Sequence, residues 1–315
     1  MNTTRALSDG RAGNARQATA LAEALDADAT SITLQPRAPW RWLAPRIAPG
    51  AINAFGRRFL DACAHPPTLA IGCGRQAALA TRLLRGRGTR VVQILDPRID
   101  PRHWNCVVAP AHDGLRGANI IHTLGSLHPV DDLWLARARQ AFPALADLPA
   151  PRTVLLVGGP SKHAALGDVE FNALLGRLAA QAVAEGGSLL ALASRRTPPN
   201  WRDAMASVPS NVPGIRWPDA REGANPYAGA LGWADRIVCT PDSVNMLSEA
   251  AATLAPVFPW APERVTGRVR GFLDALLSSG RVREMDNTLA PFATEPLRET
   301  ARVATLLGQR LDLPR

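Results

Sequence analysis

Residues 153–161 read Thr-Val-Leu-Leu-Val-Gly-Gly-Pro-Ser. A short run of β-branched and apolar residues that stops at turn formers fits a strand buried on both faces, as in parallel sheets. Immediately before it, Leu145–Arg152 (LADLPAPR) carries two prolines and no periodicity, which reads as a linker. The chain therefore restarts at Thr153. Beyond it the pattern predicts a helix over 169–185, a strand at Ser188–Ala193, a short helix after Pro198 and a strand at Arg236–Cys239. A helix over 243–252 and a strand at 256–258 follow. Before the linker, strands are expected at 5–7, 30–34, 68–71, 91–95, 106–109 and 119–122, with helices over 14–25 and from Asp131. Alternation of this kind predicts an α/β fold of two Rossmann-like domains facing across a cleft, residues 1–148 and 149–294. An amphipathic C-terminal helix within 295–315 is expected to pack back toward the first domain.

Composition agrees with two packed domains. The 315 residues are 46% hydrophobic and 20% charged, which excludes a disordered chain. No apolar run approaches the roughly 18 residues of a membrane-spanning helix, and the first nine residues show no apolar signal segment. Four scattered cysteines without a CxxC pair read as reduced thiols, so a cytoplasmic protein is expected. The formal net charge is +9, nearly all from arginine, since Lys162 is the one lysine. That excess favours anionic partners, but no helix-turn-helix, zinc knuckle or RNP-like pattern accompanies it, so nucleic acid is not the expected one.

Several predicted strand ends carry chemistry. After the first strand, Asp9-Gly10-Arg11 with Gly13 and Asn14 combines a carboxylate suited to general-base work, a guanidinium suited to phosphate and glycines that allow close backbone approach. The plain alternative is a turn in which Asp9 or Asn14 caps the next helix. Gly72-Cys73-Gly74 with Asp96 has the formal spacing of a dinucleotide fingerprint, yet follows a strand that does not open its sheet, so a turn presenting Arg75 is expected. His112-Asp113 is an acid/base pair or a solvated loop. The spacings of Cys106 and the histidines match no compact metal motif, and no metal is expected.

The second half is richer. Gly158-Gly159-Pro160-Ser161 precedes a helix as a diphosphate cradle would, and Arg195-Arg196 suit bidentate phosphate contact. Thr240, Asp242 and Ser243 lead from a strand into a helix carrying Met246 and Glu249. Ser243 can cap that helix, and Glu249 either accepts from ribose hydroxyls or is a solvated charge. Between the second and third strands, Trp40, Arg41, Trp42, Arg46, Phe55, Arg57, Arg58 and Phe59 mix rings with guanidiniums. This mixture suits an anionic bilayer surface, or else ordinary helix packing with arginines in solvent.

The stretch from Ala234 through Ser248-Glu249-Ala250 to Val257 resembles the nucleotide-binding segment of GT-B glycosyltransferases, most of all the N-acetylglucosaminyltransferase that completes lipid II. That resemblance implies a GT-B-like fold, with Glu249 on the donor ribose and Gly158–Ser161 at the donor diphosphate. Gly10–Asn14 matches loosely, because the histidine usual there is replaced. The phrases SDGRAGNARQ (8–17), IGCGRQAAL (71–79), VVQILDPR (91–98), VVAPAHDGL (107–115), LLVGGPSKH (155–163), SRRTP (194–198), NPYAGALGWAD (225–235) and TPDSVNMLSEAAAT (240–253) resemble the mitochondrial-fission "elongated mitochondria" family and its bacterial branch. Plant members of that family recruit a dynamin-like fission protein.

The two resemblances imply a metal-independent glycosyltransferase without a cofactor, using a nucleotide-diphosphate sugar and a cell-envelope or lipid-linked acceptor. It would be cytoplasmic and peripheral at the inner membrane. Asp9, or else His112 or Asp113, would be the base. A non-catalytic membrane scaffold that keeps the fold is the alternative, and an NAD-dependent enzyme using Gly72, Gly74 and Asp96 the third reading. Short-chain epimerase chemistry is disfavoured, because Tyr-x-x-x-Lys cannot be formed from Tyr227 and Lys162.

Overall fold

The computed structural model describes residues 3–313 and divides into two compact units, Met1–Pro129 with Arg298–Arg315, and Val130–Leu297. The first unit opens β1 (Thr4–Ser8), α1 (Ala12–Leu25) and β2 (Thr30–Thr33), followed by the short α2 (Trp40–Leu43) and α3 (Arg57–Ala64). It continues β3 (Leu69–Cys73), α4 (Arg75–Arg85), β4 (Arg90–Ile94), β5 (Cys106–Pro110) and β6 (Ile120–Thr123). The second unit runs α5 (Asp132–Ala141), β7 (Arg152–Val157), α6 (Asp168–Ala184), β8 (Ser188–Ala193), α7 (Pro199–Ala206), β9 (Gly214–Trp217) and α8 (Tyr227–Trp233). It ends β10 (Arg236–Cys239), α9 (Val244–Ala251), β11 (Val257–Pro259) and α10 (Gly267–Ser278), before α11 (Glu299–Arg310) rejoins the first unit.

Both sheets are parallel throughout, ordered β2-β1-β3-β4-β5-β6 and β11-β10-β7-β8-β9. In the first, alternate strand residues serve opposite faces, as the two-residue period requires. Leu7, Ala70, Val91 and Val107 pack with α4 and with Phe55 and Phe59, while Ala6, Ile71, Val92 and Val108 pack with α1 and with Val303 and Leu307 of α11. In the second, β7, β8 and β10 are buried along almost their whole length. Phe171 of α6 stacks face to face on Trp201 of α7, with ring centroids 4.0 Å apart, and the Trp201 indole donates to Asp168.

The strand order places a topological switch in each sheet. Successive strands depart on opposite sides of β1 in the first unit, and of β7 in the second, so the switches lie between β1 and β3 and between β7 and β10. Ligands of open parallel sheets bind beyond the carboxyl ends of the strands at such points, where the diverging loops leave a crevice.

The observed boundaries differ from the expected division at 148/149 and 294/295. They fall at 129/130 and 297/298 because α5 packs on α8 inside the second unit. Gly229 and Gly232 make that approach possible: a Cβ on Gly229 would lie 2.5 Å from Phe142, and one on Gly232 3.1 Å from Arg139. Arg139 donates to the Gly232 carbonyl and the Trp233 indole to the Phe142 carbonyl. Among the described residues no helix is long and apolar enough to cross a membrane, and all four cysteines are buried free thiols.

Candidate functional site

In the second unit, the switch between β7 and β10 gathers three loops into one cluster. Thr197 is buried and donates to the carbonyls of Val157 and Gly158, tying the β8 loop to the end of β7. Gly158 N–H donates to Thr240 Oγ1 at 2.7 Å, and Thr240 Oγ1 donates to Asp242 Oδ1 at 2.7 Å. Arg196 donates to Asp242 Oδ2 at 2.5 Å. The Asp242 side chain is fully buried while Arg196 is half-exposed. Burial pushes the Asp242 carboxyl above the usual carboxylate range, against the opposing pull of Arg196, the Thr240 hydroxyl and the Gly159 backbone. Two glycines are required here: a Cβ on Gly158 would lie 2.2 Å from Asp242 Oδ1, and one on Gly159 2.5 Å from the Arg196 carbonyl. Arg195 is exposed and makes no hydrogen bond or ion pair among the described residues.

The helix beside this cluster begins as the sequence suggests. Ser243 Oγ accepts from Met246 N–H, capping α9. Glu249 is buried at 2% exposure, unlike a solvated charge, and its Oε2 accepts from Tyr227 Oη at 2.6 Å. At the other end of α9, Arg281 is buried and donates to the carbonyls of Ala251 and Thr253, both at 2.7 Å, so a cation meets the negative end of the helix dipole. The single tyrosine, placed at the start of a helix by Asn-Pro, was the available signal for the Tyr227 contact; nothing in the sequence pointed to Arg281.

The helix expected after Gly158–Ser161 is α6, which starts at Asp168; in the segment between, Ser161 bridges Ala164, which bridges Val265. The first turn of α6 also carries Asp168 and Glu170, which repel an anion. Ser161 is exposed, and its Oγ accepts from the His163 N–H.

The first unit has its own cluster, at the switch between β1 and β3. Asn14 Nδ2 donates to Asp9 Oδ1 at 2.9 Å, and the Arg11 N–H donates to the same oxygen. The Arg11 guanidinium lies 3.5 Å from Asp9 but is largely in solvent. Cys73 Sγ faces Asn14 Oδ1, and burial, with Asp9 nearby, pushes its thiol far up, which makes it a poor nucleophile. Gly74, at φ +89°, leaves room for Asn14, whose amide nitrogen would be 2.6 Å from a Cβ. Gly10 takes φ +77°, and Gly13 lies within the first turn of α1.

His112 and Asp113 sit in a half-buried turn after β5, not with Asp9. Three strand spacings separate β1 from β5, about 14 Å at ~4.8 Å each. Asp96 is engaged by Arg98 of its own loop, which donates its N–H at 2.8 Å. Among the described residues no group of three or more His, Cys, Asp or Glu could hold a metal ion. A cavity of about 370 Å³ lined by Arg5, Arg58, Asp61 and His65 lies at the amino end of the β1–β2 pair, at the opposite end of β1 from the switch point of that sheet.

The ring-and-arginine segment splits in two. Phe55 and Phe59 are core residues packed edge to face at 4.9 Å, so they leave the expected surface patch. Trp40 is half-buried and donates its indole N–H to the Pro49 carbonyl. Arg41, Trp42, Arg46, Arg57 and Arg58 are exposed.

Comparison with known proteins agrees with this construction. Residues 12–311 match the family described as Mitochondrial fission ELM1. The "Mitochondrial fission protein ELM1" of Arabidopsis thaliana is 27% identical over 275 residues, 78% of this chain. The chain spans 64% of that relative's length. An "Uncharacterized protein RP120" of Rickettsia prowazekii is 23% identical, covering 98% of both chains. Among solved structures, the UDP-GlcNAc 2-epimerase of Methanocaldococcus jannaschii has a TM-score of 0.55 at 11% identity, over 98% of this chain and 100% of that one. Os79 of O. sativa in complex with UDP has a TM-score of 0.53 at 11% identity, over 99% and 92%. These likenesses show the GT-B fold of two parallel-sheet α/β domains. With a match running through nearly all of its length, the chain belongs to the Mitochondrial fission ELM1 family.

Proposed function

We propose that this protein is a metal-independent GT-B-type glycosyltransferase that moves a sugar from a nucleotide-diphosphate sugar to a hydroxyl of a cell-envelope or lipid-linked acceptor on the cytoplasmic side of the membrane. The observation that supports it is the position of both clusters at the switch points of their sheets, one rich in anion-binding groups and the other holding an oriented carboxylate. Gly158, Gly159, Ser161, Arg195, Arg196 and Ser243 would stabilise the departing diphosphate through N–H groups, hydroxyls and guanidiniums, in place of a cofactor or cation. Glu249, held by Tyr227, would fix the ribose. Asp9 would take the acceptor hydroxyl proton as its oxygen bonds to the anomeric carbon and the carbon–oxygen bond to the diphosphate breaks. Of the solved structures named above, one is a UDP-GlcNAc 2-epimerase and the other is a complex with UDP, which makes uridine donors the first to test.

One observation favours a second reading, a membrane-associated scaffold that keeps the fold without turnover. Arg196 is already paired with Asp242, and Glu249 with Tyr227. Calorimetric titration with UDP and UDP-sugars in the presence of EDTA separates the two. The transferase reading expects binding that weakens in Arg195→Ala and Glu249→Ala. Arg195 is exposed and partnerless, so that variant reports without a folding defect. Absence of nucleotide binding by the folded wild type would favour the scaffold.

A further inference from the structure

Between Asp28 and Asp61 the chain contains no acidic residue, yet it carries Arg37, Arg41, Arg46, Arg57 and Arg58. Inside this stretch the fold does something unusual with apolar side chains. Trp42 is 67% exposed, Leu43 43% and Ile47 51%, three of the seven large exposed hydrophobics among the described residues, within six positions. The other four, Leu133, Val169, Val183 and Leu254, are scattered along the chain. Single exposed apolar residues need no explanation, but a cluster of them ringed by one sign of charge does.

The cluster is not a frayed loop. Its base is fastened to the first unit: Trp40 donates to the Pro49 carbonyl at 2.9 Å, Arg82 to the Pro45 carbonyl at 2.7 Å and Arg75 to the Arg41 carbonyl at 3.2 Å. Ala44, Ala51 and Phe55 sink into the core on the inner side. The outward tip is therefore a held structure that presents Trp42, Leu43 and Ile47. Arg37, Arg41 and Arg46 flank them, all exposed and without an ion pair among the described residues.

We propose that this tip is a peripheral membrane-docking surface whose partner is an anionic lipid bilayer. Charge complementarity selects that partner: uncompensated guanidiniums in an acid-free stretch meet lipid phosphates, while the indole and two aliphatic side chains enter the headgroup boundary, where amphipathic rings are at home. An apolar protein partner would not need the unpaired arginines, and a nucleic acid would not need three aliphatic or aromatic tips. The inference does not rest on sugar transfer, because docking needs neither nucleotide nor turnover.

Flotation of the full chain with vesicles tests it, without nucleotide present. The probes are equimolar phosphatidylglycerol–phosphatidylcholine vesicles and pure phosphatidylcholine vesicles. Binding is expected on the anionic vesicles alone and is expected to fall as salt is raised. Trp42→Ser with Ile47→Ser, and separately Arg41→Gln with Arg46→Gln, are each expected to lower the partition coefficient by about tenfold or more. These side chains lie in solvent, so unchanged thermal unfolding of the variants guards against misfolding as the cause. Equal binding to neutral vesicles, no loss in either folded variant, or salt-sensitive binding to RNA with none to anionic vesicles would each overturn the proposal.

Discussion

His128 allows a quantitative test of how the first unit is built. It is 2% exposed, and neither ring nitrogen has a hydrogen-bond partner among the described residues. The backbone around it is fixed instead: its N–H donates to Thr300 Oγ1, whose hydroxyl donates to the His128 carbonyl, and Leu127 N–H donates to Gln17. Burial, with Arg298 and Arg16 adding to it, pulls the imidazole down from 6.5 to about 4. The unfolded chain therefore binds the extra proton between those two values while the folded chain does not. The stability contributed by keeping His128 neutral is complete above pH 6.5 and is lost as the pH falls toward 4. A gap of about 2.5 pH units, at about 1.4 kcal/mol per unit, makes that loss roughly 3 kcal/mol. Replacing His128 with leucine keeps the volume and removes the titration. It also removes two unbonded buried nitrogens, each costing about 1–3 kcal/mol, so the variant is expected to match or exceed the wild type at pH 7. The assay is urea unfolding of both proteins at a series of pH values from 7 to 4.5. The advantage of His128→Leu should widen steadily on acidification. Parallel stability curves over that range would refute the reasoning.

Three further outcomes follow from the second unit. Gly158→Ala places a methyl against the Asp242 carboxylate and is expected to cost about 1–3 kcal/mol in chemical unfolding and to weaken any nucleotide binding; an unaffected protein would mean that the three-loop cluster is loosely packed. Arg281→Met removes the donors on the last carbonyls of α9, with an expected loss of about 2–4 kcal/mol, read by thermal and urea unfolding. Tyr227→Phe deletes the donor to Glu249 and is expected to lower stability by about 1–3 kcal/mol and nucleotide affinity at least tenfold. Lower stability with unchanged affinity in titration calorimetry would make the pair structural alone.

Much of the architecture was legible because buried parallel strands are written as plain apolar runs. The expected strands at Ser188–Ala193 and Arg236–Cys239 coincide with β8 and β10, and the end of α1 falls at Leu25 as expected. Elements that depend on their surroundings were not legible. β9 is a four-residue edge strand, half-buried throughout and opened by Gly214, and no periodicity marks it. α8 contains two glycines in seven residues, which argues against a helix until the faces of Phe142 and Arg139 that need them are known. The candidate site shows the same division. Loop composition located the strand ends, and Ser243 capped as its position suggested. The pairings that give those loops their chemistry join residues far apart in sequence, Arg196 to Asp242 and Tyr227 to Glu249. Phe55 and Phe59 lie in the core and not on the expected surface, because neighbouring arginines disguise two core positions as part of a surface.

The return of α11 to the first unit has a consequence for synthesis. Val303, Leu307 and Leu311 share one apolar cluster with Leu21, Ile71 and Val108, so the face of the first sheet served by α1 stays partly uncovered until residues 303–311 emerge. In sequence, residues 130–297 form an insertion between the two segments of the first unit. On a ribosome the segment made second can finish folding first, while the segment made first waits, exposing hydrophobic surface over the longest interval. Removing residues 299–311 would accordingly damage the first unit and spare the unit that carries Glu249.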